Sequence, residues 1–84
     1  MGFNNPKFNY EIKEQIAVLS ESEDGRYTTE VNLISYNGAP AKLDIRKWNR
    51  AEDRMGKGVT LNEEEAEKLL YALMNRRDRR GKNE

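Results

Sequence analysis

Cysteine and histidine are both missing from this 84-residue chain. Without cysteine there is no disulfide framework and no thiolate metal site. Without histidine the commonest metal ligand and the commonest general base are gone. No Ser–His or Cys–His nucleophile can therefore be assembled. Long apolar runs are missing too: none approaches the roughly 20 residues needed to span a bilayer. Met1 to Lys13 is polar and aromatic, unlike a signal peptide. The remaining candidates for chemistry are weak. Glu63, Glu64, Glu65 and Glu67 are close in sequence and spread around a helix instead of converging on a metal. Gly56-Lys57-Gly58 lacks the spacing of a phosphate-binding loop. These absences predict a protein that is not an enzyme, has no cofactor and no metal, makes no membrane contact and is cytoplasmic.

The chain has room for one domain. A domain this small buries only roughly 60% of the surface its unfolded chain exposes. With no disulfide or metal to reinforce a thin core, self-association is the natural route to more buried area.

Net charge is zero, with 15 basic and 15 acidic residues, which taken alone argues against a nucleic-acid ligand. The distribution says more than the sum. Up to Val31 the net charge is −3, and from Lys42 to Lys57 it is +3. An acidic stretch, Glu63 to Glu67, precedes a basic tail, Arg76 to Lys82. Total charge hides a basic middle and a basic end.

Periodicity predicts four strands and then a helix. Phe8 to Ser20 reads as a strand whose mixed parity implies a bulge. Asp24-Gly25 marks a turn, Tyr27 to Tyr36 a second strand, and Asn37-Gly38 another turn. Lys42 to Trp48 is a third strand, Asn49 to Gly56 a charged loop, and Val59 to Leu61 a short fourth strand. Asn62 is a good N-cap, and Glu65 three residues on completes a capping box. Ala66, Leu69, Leu70, Leu73 and Met74 then recur at helical spacing, with Gly81 at the stop. Strands joined by short turns pair antiparallel. The fold class is thus α+β, with a four-stranded antiparallel sheet and one C-terminal helix laid over one face.

Parity divides the sheet. If Val31, Leu33, Leu43 and Ile45 face the helix, the open face carries Tyr36, Arg46 and Trp48, with Lys13 as a further candidate. Aromatic rings and cations on one open face suit unstacked bases and phosphates. Structural roles compete with this reading. A Trp at a strand end is a packing residue about twice as often as a ligand contact, given its general burial. Arg46 can simply pair with Asp44 at the surface, where such a pair contributes little. Tyr36 can close a hairpin, and the basic tail can be a solvated helix end matched to the helix dipole.

The segment from Leu43 through Trp48, together with Met55-Gly56-Lys57-Gly58-Val59-Thr60-Leu61-Asn62 and the glutamates after it, carries a resemblance. So do Tyr10-Glu11-Ile12, Ile16 to Glu21 and Glu30 to Asn37. Over about Phe8 to Met74 the chain resembles the bacterial YdbC-like branch of the positive cofactor four family of transcriptional coactivator-like proteins. The resemblance implies a β-β-β-β-α domain, placed over 8–77; composition adds a flexible leader (1–7) and a basic flexible tail (78–84). It implies a homodimer formed through helix and sheet. The dimer would bind single-stranded DNA with little sequence preference, in transcription regulation or in replication and repair. Carried over by position, Arg46 and Trp48 match strand-three binding residues. Tyr36 matches an aromatic at the end of strand two, and Lys57 a basic residue entering strand four. Lys13 and Lys47 join them on charge and position. Trp48→Ala is then expected to weaken oligonucleotide binding while sparing the fold. Two other ligands suit the same face: a protein of the transcription machinery, which would make the chain an adaptor, or RNA.

Overall fold

The computed structural model describes residues 9–83. The leader expected over residues 1–7 lies outside the described residues, as do Phe8 and Glu84. Four strands are followed by one helix: β1 (Tyr10–Glu21), β2 (Tyr27–Tyr36), β3 (Lys42–Asn49), β4 (Arg54–Leu61) and α1 (Glu63–Asn83). The strands form one antiparallel sheet in the order β1-β2-β3-β4. This is the expected α+β architecture.

Turn chemistry sets the hairpins. Asn37 and Gly38 both have positive φ, 54° and 79°, and the Ala39 amide donates to the Tyr36 carbonyl at 2.9 Å. Two such residues make the tight turn whose twist matches a hairpin. Gly25 has φ 76°, and the Asp24 carboxylate accepts from Ser22 Oγ and the Arg26 amide.

The pairing of β1 with β2 shifts register three times, between Ile12 and Glu14, Gln15 and Ala17, and Val18 and Ser20. These irregularities account for the mixed parity of the first strand. By contrast β2 and β3 pair without a break from Tyr27↔Asn49 to Ile34↔Lys42. The fourth strand is longer than expected, because Arg54 to Gly58 belong to it. Glycine is a poor strand former, so sequence assigns this stretch to a loop. Here it is required: a Cβ on Gly58 would collide with Arg46 Cβ, and one on Gly56 would lie 2.8 Å from the Lys47 carbonyl oxygen.

The two faces differ from expectation in which one is covered. Trp48 is 1% exposed and Asp44 0%, and Glu30, Asn32, Ile34 and Thr28 are buried beside them. The opposite face, with Val31, Leu33, Leu43 and Ile45, is only half-buried, and Val59 is exposed. The helix does not lie over it. It touches the sheet only at β3 and β4 and runs on through Gly81 to Asn83, so the molecule extends 56 Å in its longest direction. Leu69, Leu70, Leu73 and Met74 remain exposed along it. Among the described residues no helix is long and apolar enough to cross a membrane.

Candidate nucleic-acid interface

The middle of β3 builds the site. Alternation sends Asp44, Arg46 and Trp48 to one face, and the pairing register sets them beside Asn32, Glu30 and Thr28 of β2. Asp44 also pairs with Thr60 of β4, and Arg46 with Gly58. Tyr36 ends β2 on the same face.

Two arginine–carboxylate centres result. In the first, Arg46 Nε donates to Asp44 Oδ1 and Nη2 to Oδ2, both at 2.7 Å. The Tyr36 hydroxyl donates to Asp44 Oδ2 at 2.7 Å, and Thr60 Oγ1 donates to the same oxygen at 3.0 Å. Arg46 Nη2 also donates to the Tyr36 hydroxyl, and Nη1 to the Gly56 carbonyl. The Arg46 side chain is only 14% exposed. This pair is therefore a buried bidentate bridge and not the surface pair that sequence suggests; charge-assisted forks of this kind are the strong ones. Burial pushes the Asp44 carboxyl up, but hydrogen bonds from Arg46, Tyr36 and Thr60 outweigh it and hold the group below the usual range. The Tyr36 hydroxyl is raised by burial and by its bond to Asp44.

In the second centre Glu30 accepts from Arg50 Nη2 at 2.6 Å and Nε at 2.9 Å, and from Thr28 Oγ1 at 2.6 Å. Burial raises the Glu30 carboxyl, and these bonds bring it below its usual value. The Arg50 guanidinium lies 4.8 Å from the centroid of the Trp48 ring, a cation–π arrangement. Tyr10 covers another side of Trp48, centroid to centroid 6.0 Å, and lies 6.5 Å from Tyr36. Trp48 is thus the floor of the site, roofed by Tyr10 and Arg50.

Beside Arg46 a shallow pocket of about 360 Å³ opens between Tyr36, Ala39, Pro40, Lys42, Arg46 and Thr60. Its polar walls are a phenol, a guanidinium, an ammonium and a hydroxyl.

Of the residues expected from sequence, Tyr36, Arg46 and Trp48 are brought together. Lys57 is exposed on β4 and is not brought to the pocket, since it shares parity with Val59 on the side opposite Arg46. Lys47 lies on the side of Ile45, next to Ser20, Tyr27 and Thr29. Lys13 sits at the first register shift of β1, exposed and paired with Glu11 at 3.2 Å. Sequence reasoning missed Lys42 and Arg50. Lys42 could have been found, since it shares parity with Arg46 on the same strand. Arg50 was hidden because it falls where the sequence reads as loop. Among the described residues no group of acidic side chains is arranged to hold a metal ion.

Comparison with known proteins agrees with this architecture. Residues 26–72, from the entry to β2 into α1, match the family Transcriptional Coactivator p15 (PC4). The chain belongs to that family. A relative, an uncharacterized protein of Treponema pallidum (strain Nichols), is 44% identical over 64 residues, covering 76% of this chain and 74% of that one.

Proposed function

We propose that two copies of this chain form a homodimer that binds single-stranded DNA with little sequence preference, in transcription regulation or in DNA replication and repair. The observation that carries this reading is the pocket beside Arg46. A ring, a planar cation and a free ammonium line one concavity of about 360 Å³ on an aromatic-floored face. Stacking on such a face is worth about 1–3 kcal/mol per base and tolerates any base, since each has a π-face.

The residues divide the work. Tyr36 offers a ring at the pocket, and Trp48 supports both Tyr10 and Arg50 from beneath. Arg46 and Arg50 are neutralised by Asp44 and Glu30, so they act as fixed hydrogen-bond donors more than as free charge. Net attraction for phosphate then falls to the exposed lysines: Lys42 in the pocket, with Lys57, Lys13 and Lys47 outside it. The half-open apolar face and the exposed helix stripe, which the described residues of one copy leave uncovered, support dimer formation.

The test is fluorescence anisotropy of a labelled oligo-dT at low and moderate salt, with duplex and RNA competitors. The reading expects salt-sensitive binding in which the single strand outcompetes duplex. Binding that ignores salt, or none at low salt, would turn the site over to a protein partner. A better RNA competitor would make RNA the ligand.

A further inference from the structure

The apolar stripe of α1 has a charged residue at each end. Glu63, Leu70 and Arg77 are spaced seven apart, and Ala66 and Leu73 interleave with them. Seven residues is close to two helical turns, so these five positions form one seam in the 3-4-3-4 spacing of paired helices. Four of its five positions are exposed, Leu70 at 53% and Leu73 at 57% accessible with Glu63 and Arg77, while Ala66 is half-buried beside Leu33 and Leu43. Among the described residues nothing covers the seam beyond Ala66, since α1 touches only β3 and β4.

The charges at its ends are not absorbed locally. Glu64 pairs with Lys68 at 3.5 Å, and Glu65 is engaged in the capping box with Asn62. Glu63 and Arg77 make no ion pair among the described residues. The helix dipole explains why acids begin the helix and bases end it. It does not explain why one of each falls on the apolar seam, equidistant from its middle. Arg77 also lies beyond residues 26–72, the part matched to the family.

We propose that Arg77 is a clamp between two copies of this chain. When a second copy lies antiparallel along the seam, with the two-fold axis at Leu70, Arg77 meets the partner's Glu63. The contact occurs twice, at about 10 Å on either side of the axis, given 1.5 Å of rise per residue. Any parallel arrangement would instead set Glu63 against the partner's Glu63, and Arg77 against the partner's Arg77. The charges thus select the antiparallel orientation as well as strengthening it. The inference rests on the homodimer proposed above and assigns the basic end of α1 to the partner, not to nucleic acid.

The test is sedimentation equilibrium of the full chain, as wild type, Glu63→Arg, Arg77→Glu and the double exchange. Each single reversal replaces two attractions by two repulsions and is expected to weaken the dimer about tenfold at low salt. The double exchange restores both pairs and should return the dimer to within about threefold of wild type. Singles without effect, or a double exchange weaker than either single, overturn the clamp while leaving the dimer standing. A monomeric wild type overturns both. Oligo-dT binding is measured alongside, at protein concentrations where every variant is dimeric. Unchanged affinity supports the assignment, and a loss confined to Arg77→Glu would make the basic end a nucleic-acid contact instead.

Discussion

Asp44 accepts hydrogen bonds from Arg46, Tyr36 and Thr60 while fully removed from solvent. Asp44→Asn takes away the charge that Arg46 faces and one or more of those acceptor positions. Breaking a buried pair in this way is expected to cost about 3 kcal/mol, read as a lower urea midpoint. The same two centres fix the acid limb of stability. Asp44 and Glu30 both titrate lower in the folded chain than in the unfolded one. Their stabilisation is complete above the unfolded carboxylate values and is lost as pH falls through the folded ones. Stability should therefore hold down to about pH 4 and decline below it, and thermal melts from pH 7 to 2 check this. Gly58→Ala is a second residue-scale test. Its Cβ would meet Arg46 Cβ and the Ile45 carbonyl, so β3 and β4 must part at the site. A cost of about 3 kcal/mol is expected, at the upper end for overpacking. Trp48 shows where sequence stops being informative. Parity places it with Arg46 and Tyr36, but its burial depends on Tyr10, far away in sequence, and on Arg50, in an apparent loop. Trp48→Ala consequently removes a core ring as well as a candidate site residue, and Trp48→Phe is the cleaner probe.

At the scale of elements, the hairpins and the helix start were legible because local chemistry specifies them. Asn37-Gly38 makes the turn it signals, and Asn62 and Glu65 exchange hydrogen bonds at 2.9 and 2.8 Å. Asn62→Ala should cost about 1 kcal/mol, measured by chemical denaturation, because the Glu65 amide loses the Asn62 Oδ1 acceptor. The start of β4 was not legible, since its glycines answer to the close approach of β3 and not to strand propensity. Nor was the path of α1. An apolar stripe states that a helix needs a partner surface, and it does not state which one. Here the stripe beyond Ala66 stays exposed, and Gly81 does not end the helix.

The whole molecule has no net charge, a buried polar face and an apolar face left half open. Phosphate attraction must come from a few lysines, because the arginines of the site are already matched by carboxylates. Oligonucleotide affinity should therefore depend only moderately on salt. At about −0.7 in log–log slope per phosphate on a single strand, two to four contacts give a slope of roughly −1.5 to −3. Lys42→Ala should weaken binding and make that slope shallower by about 0.7, in the same anisotropy titration. The central claim is that the strand lies on the face floored by Trp48. Since this is the chain's only tryptophan, its fluorescence reports on that face alone. The decisive measurement is a titration of the protein with unlabelled oligo-dT, following Trp48 emission beside the anisotropy isotherm. The account predicts a saturable change in emission that tracks the anisotropy and disappears at high salt. Oligonucleotide binding that leaves Trp48 emission unchanged would contradict it, and would move the ligand to another surface of the molecule.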